Sequence, residues 1–166
     1  MRSLAENMAA YAAYHRHPHT KLTHFVGVPA IVFALLVLLA LARGTFAGTE
    51  ISLAMLLVAA MLGWYLLLDP VIGLAMAVLV APLLWAAEVM AHQPLAVSLG
   101  VCLLCFVGGW IVQLIGHRIE GNRPALLDNL SHALLAPAFL TAELLFAFGL
   151  KQDLREEVER RSWQRG

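Results

Sequence analysis

Long uncharged apolar runs alternate with short polar breaks along this chain, and the run lengths are those of membrane-crossing helices. Residues 25–42, 51–68, 71–87 and 95–116 form four such runs, none carrying a charged side chain. A spanning helix needs roughly 17 to 25 residues, so each run qualifies by length. The first run includes Pro29, and the dipeptide Asp69-Pro70 marks a turn between the second and third. A fifth segment, 133–150, contains Pro137 and Glu143, which suits a helix packed inside a bundle or a re-entrant element. Ahead of the first run, residues 3–16 hold good helix formers and small residues at helical spacing. They read as a helix lying in the interface or covering a site from the aqueous side. Residues 17–24 are broken by Pro18 and too polar to enter lipid unless packed against protein. The tail, 151–166, has charges of both signs and reads as a solvated helix. Strand alternation and internal repeats are absent. The expected fold is all-α, a polytopic helical membrane bundle with four to five spanning segments, forming one domain over 1–150 with a charged tail over 151–166.

Composition sharpens this picture. Of 166 residues, 61% are hydrophobic and 13% charged, and the mean hydropathy is +0.78. Soluble domains are about half apolar and about a quarter charged. The 11 basic and 11 acidic residues balance, which excludes a strongly basic nucleic-acid binder. Cys102 and Cys105 lie inside an apolar run and read as small core residues, with no redox or metal role. Residues 1–21 are polar and do not read as a signal peptide. Trp64, Tyr65, Trp85 and Trp110 suit interface belts or packing.

Parity of the spans gathers the histidines. If the first span leaves one membrane face after His24, the fourth returns and delivers His117 to that same face, and His132 opens the fifth segment there. His15, His17, His19, His24, His117 and His132 thus share a face, and His92 alone falls on the other. That face also holds Arg2, Arg16, Lys21, Arg118 and Arg123, against Arg43 opposite, so with the tail left aside the positive-inside rule places it in the cytoplasm. The expected location is an integral membrane protein, in the inner membrane of a bacterium or the endoplasmic reticulum of a eukaryote, with its site toward the cytoplasm.

Three constellations on that face carry chemistry. Within 14–24, four histidines crowd into ten positions, and neutral imidazole is the commonest metal ligand. His24 directly precedes an uncharged span, at the depth of a buried metal, while His17 and His19 flank Pro18 and suit solvent-facing positions. In the second constellation, a helix continuing past Gly116 would put Gln113, His117 and Glu120 on one stripe. There Glu120 suits a ligand, an acceptor from a ligand imidazole, an acid/base group or an ion-pair partner of Arg118 or Arg123. In the third, Asp128 and His132 are four apart, so the carboxylate can orient the imidazole. Ser131 lacks the surroundings of a nucleophile elbow. Glu143 has to be paired or protonated inside the bundle, for a structural or a catalytic purpose.

The stretch YHRHPHTKLTHFVGVP at 14–29, with WIVQLIGHRIEGNRPALLDNLSHALLAPAFLTAELL at 110–145, resembles the 2-hydroxy fatty acid dioxygenase family. The resemblance covers residues 8–150. It implies small membrane proteins that turn phytosphingosine-derived 2-hydroxy fatty acids into odd-numbered acids one carbon shorter, using Fe2+ and O2. It places the metal ligands at His15, His24 and His117, with His132 as a further one, and the motif glutamate, a catalytic residue, at Glu120. Thr20 stands where many members have asparagine, His132 where glutamine is common, and His17 and His19 are additional to the pattern. Arg123 and Arg118 are the expected substrate-binding residues, by charge and position, because a carboxylate accepts charge-assisted hydrogen bonds from guanidinium groups. The expected partners are the 2-hydroxy fatty acid, O2 and membrane lipid, with a homo-oligomer allowed.

Two other functions use the same features. A zinc-dependent membrane hydrolase acting on lipid amides or esters would need the same histidines without oxygen. A metal or proton transporter would spread polar groups along a path through the bilayer, whereas here the spans are uncharged and the histidines stop at one face.

Overall fold

The computed structural model describes Glu6, Met8, Ala9, Ala12, residues 18–121 and residues 131–163. Helix α1 (Pro18–Leu41) leads into a hairpin of β1 (Arg43–Phe46) and β2 (Thr49–Ser52), followed by α2 (Leu53–Leu68), α3 (Pro70–Ala91), α4 (Leu95–Glu120), α5 (Ser131–Ala147) and α6 (Gln152–Trp163). Glu6, Met8, Ala9 and Ala12 are helical too, with Met8 and Ala9 buried.

Local chemistry sets the boundaries. Pro18 opens α1 rather than breaking it: proline is tolerated at the first helical position, where its missing N–H costs no hydrogen bond. The helix therefore starts seven residues ahead of the apolar run and carries Thr20, Lys21 and His24 in its first two turns. Asp69 alone joins α2 to α3. Its backbone N–H donates to the Tyr65 carbonyl, and its carboxylate accepts from Val71 N at 3.0 Å and Ile72 N at 3.2 Å. Ser52 caps α2, accepting from Met55 N at 3.1 Å. Helix α4 continues past Gly116 to Glu120, as the stripe Gln113, His117, Glu120 requires.

The hairpin is a correction to the all-helical expectation. Its antiparallel register pairs Arg43 with Ser52 and Phe46 with Thr49, and Ala47 and Gly48 both have positive φ, as a tight two-residue turn demands. Four residues per strand are too few to show an alternation in the sequence, and Ile51 and Ser52, assigned to the second run, belong to β2.

Three helices, over Thr20–Leu41, Pro70–Ala91 and Leu95–Ile119, are long and apolar enough to cross a membrane. At 1.5 Å rise per residue, 22 residues reach about 33 Å, enough for a hydrocarbon core of about 30 Å. Helices α2 and α5 have 16 and 17 residues and are apolar but shorter. Large side chains lie open on the long helices, among them Val78 (74% exposed) on α3 and Leu104 (73%) on α4. Apolar exposure of this extent suits lipid as solvent.

The chain forms two compact units. One comprises 27–111, with a core of Leu36, Val37, Ala40, Ala54, Val58 and Ala87. There a Cβ at Gly109 would stand 2.8 Å from Ile31 Cγ1 and 2.9 Å from the Gly27 carbonyl oxygen, so glycine lets α4 and α1 approach closely. At the hairpin, Arg43 donates to Glu50 at 2.7 Å and to the Ala40 carbonyl at 2.9 Å, and its other nitrogen lies 3.7 Å from Glu88. Ser52 donates to Glu88, and His92 Nδ1 donates to the Glu88 carbonyl at 2.7 Å while facing Arg43 and Glu50. His92, the odd histidine of the parity argument, thus belongs to a hairpin brace. The other unit comprises 1–26 and 112–166 and carries the candidate site.

Candidate metal centre

In this second unit, α1 and α4 meet at their polar ends. Gly116 makes the contact: a Cβ there would overlap Thr23 Oγ1 and lie 3.1 Å from Thr23 Cβ and 3.4 Å from Thr20 Cα. The absence of that Cβ lets the Thr20 hydroxyl donate to the Gly116 carbonyl at 3.0 Å, a buried bond between the helices. His24 and His117 then face each other with ring centroids 4.9 Å apart and planes at 86°. They are 2% and 4% exposed.

Thr20 serves both imidazoles. Its hydroxyl holds the residue before His117, and its carbonyl accepts from His24 Nδ1 at 2.8 Å. A carbonyl only accepts, so Nδ1 bears the hydrogen and the lone pair of neutral His24 sits on Nε2. Metal-binding histidines commonly donate one ring nitrogen to a backbone carbonyl in this way. A metal bound at about 2.1 Å by two adjacent imidazoles sets their ring centroids roughly 4.6–5.4 Å apart, for ligand angles of about 90–110°. The observed 4.9 Å and the neutral nitrogen donors fit that requirement.

Beside the histidines, Lys21 donates to both carboxylate oxygens of Glu143 on α5, each at 2.8 Å. The Lys21 ammonium lies 6.0 Å from the centre of the buried Phe139 ring. Ala138, Phe139, Leu140, Thr141 and Ala142 are all buried, so α5 packs within protein here, and Glu143 is paired, as its position required.

Of the residues expected in the site, His24 and His117 are brought together. Arg118 lies exposed in the last turn of α4. Glu120 ends α4 and His132 is the second residue of α5, but their side chains, like that of His19, lie outside the described residues. His15, His17, Arg123 and Asp128 lie outside them altogether. Among the described residues no group of three or more histidine, cysteine, aspartate or glutamate side chains is placed to hold a metal. The sequence reading did not assign Thr20, Lys21 or Gly116 to the site. Thr20 and His24 are four apart, a helical contact that treating Pro18 as a breaker concealed.

The model of one protein family, described as 2-hydroxy-palmitic acid dioxygenase Mpo1-like, matches residues 1–148. No curated protein and no solved structure gives a significant match.

Proposed function

Because this chain belongs to the Mpo1-like family, we propose that it is a membrane-embedded, iron(II)-dependent dioxygenase that shortens 2-hydroxy fatty acids by one carbon with O2. The observation that carries this is the buried His24–His117 pair, with the His24 tautomer set by the Thr20 carbonyl. His24 and His117 would supply two ligands, and His15, His132 and Glu120 the remaining donors or an acid/base group. Bound there, Fe2+ supplies the redox chemistry with O2. The reaction balances as R–CH(OH)–COOH plus O2 giving R–COOH, CO2 and water: the C1–C2 bond breaks and C2 is oxidised to a carboxyl carbon.

The protein's own part is orientation and exclusion of water. Thr20 holds both imidazoles in place, and their burial keeps bulk water from the reacting carbon. Parity supports α2 as a fourth span. The polar ends of α1 and α4 meet at the histidines, so the crossings between these two helices have to be even in number. Helix α3 supplies one, and α2 is the remaining apolar helix between them. The basic residues near the histidines, Lys21 and Arg118, favour the cytoplasmic face for the site.

Anaerobically purified protein is expected to bind one iron and to consume O2 with 2-hydroxypalmitate. A His24→Ala, His117→Ala double variant is expected to lose both by more than about 100-fold, since ligand loss exceeds the 10–100-fold effect of outer-shell changes. Full iron content and turnover in that variant would rule out these ligands, and zinc in place of iron with O2-independent hydrolysis of lipid amides or esters would overturn the dioxygenase.

A further inference from the structure

We infer that Lys21 is the carboxylate-binding group of this site and that Glu143 holds its ammonium in place until a fatty acid headgroup arrives; this rests on the reading above insofar as that reading makes the substrate an acid. Lys21 is three residues before His24 on α1, so the two share a helix face. It also lies in the first turn of the apolar span Thr20–Leu41, the depth at which a fatty acid's carboxylate sits while its chain lies in hydrocarbon.

Helix stability does not account for a lysine at this position. The start of a helix carries partial positive charge, which a cation opposes, and α1 has no acidic residue in its first turn to offset it. The same partial charge favours an incoming carboxylate. The pair is accessible, with side chains 34% (Lys21) and 23% (Glu143) exposed, unlike the two buried imidazoles. An ammonium has three N–H donors. Glu143 engages two of them, and the third is a donor for a further acceptor. The buried Phe139 ring beside the ammonium gives an apolar wall on one side. Arg118, the cation next to His117, is exposed and carries none of these constraints.

The headgroup would therefore reach Lys21 from the polar end of α1, with its hydroxyl-bearing carbon toward His24. The Glu143 carboxylate repels a second carboxylate brought to the same ammonium, so removing the two partners has opposite effects on acid binding. A purely structural clamp between α1 and α5 would respond the same way to loss of either partner.

The test is anaerobic binding of 2-hydroxypalmitate and of its methyl ester to the full chain in lipid nanodiscs, without turnover. Wild type is expected to bind the acid at least tenfold more tightly than the ester, the scale of one charge-assisted hydrogen bond. Lys21→Met is expected to lose that preference while binding the ester unchanged, Lys21→Arg to retain it, and Glu143→Gln to bind the acid as tightly as wild type or more so. Equal weakening of acid and ester in both Lys21→Met and Glu143→Gln, or no preference for the acid in wild type, overturns the inference. Should Lys21→Met fail to fold, Glu143→Gln decides: retained or tighter acid binding supports the inference, and selective loss of acid binding overturns it. O2 uptake is measured separately, so acid binding through Lys21 without O2 consumption would reject the dioxygenase and leave the carboxylate site standing.

Discussion

Thr20 and Gly116 set the geometry of the histidine pair without belonging to it. The Thr20 carbonyl sets the His24 tautomer and its hydroxyl holds the Gly116 carbonyl, while the missing Cβ of Gly116 lets both happen at once. Gly116→Ala is expected to push α4 away from Thr23 and separate the imidazoles. Overpacking of this kind costs about 1–3 kcal/mol, and a displacement near 1 Å at reacting groups costs about 100-fold in rate. Adding Thr23→Ala removes the Oγ1 that the new methyl meets and is expected to restore part of both losses, whereas Gly100→Ala, with open space around it, is expected to change neither. Thermal melts in detergent and O2-uptake rates check all three. The histidines were visible in the sequence as polar residues flanking apolar runs, and Glu143 as a carboxylate inside one. Thr20 and Gly116 were not, because a threonine and a glycine are unremarkable until another helix lies 96 residues away in sequence and one hydrogen bond away in space.

Among the elements, the hairpin shows how a short structure is held without a core of its own. Arg43, Glu50, Glu88, Ser52 and His92 tie it to the end of α3. The Arg43 hydrogen bond, assisted by the charges of Arg43 and His92, holds the Glu50 carboxyl below its usual range. A carboxyl so lowered stabilises the fold fully above its ordinary pKa, and the contribution disappears as pH falls through the lowered value. Glu50→Gln is therefore expected to melt slightly lower than wild type at neutral pH, with the gap closing on acidification below the ordinary carboxylate range. Parallel melts at several pH values check it, and a gap that widens toward acid would contradict this account. The four apolar helices α1 to α4 were legible because their runs are uniformly apolar, and three of them are long enough to cross a membrane. The hairpin was not, because strands this short, stabilised by side-chain ion pairs, carry no period.

At the scale of the whole molecule, the exposed apolar surface of α3 and α4 is compatible with lipid as the solvent. Leu104, 73% exposed near the middle of α4, is the position at which the two solvents give different outcomes. On a water-facing helix an exposed Leu→Lys change stays within about 0.5 kcal/mol. At the centre of a membrane span it costs roughly 2.5–3.5 kcal/mol. Leu104→Lys is expected to lower the membrane-inserted fraction severalfold, read by fractionation of expressed protein, and unchanged insertion would place that face of α4 away from lipid.

By itself the sequence determined the apolar runs, the helical class, the turn at Asp69-Pro70, the tail helix and, through parity, the meeting of His117 with His24. These follow from local composition and connectivity, which a linear chain displays directly. Only the tertiary structure decided which atoms meet: that α1 begins at Pro18, that Thr20 joins His24 to α4, that Lys21 answers Glu143, and that His92 serves the hairpin. Such pairings join positions up to 122 residues apart. They depend on close approach of helices, which is set by side-chain volume at the contact and leaves no periodic trace in either segment.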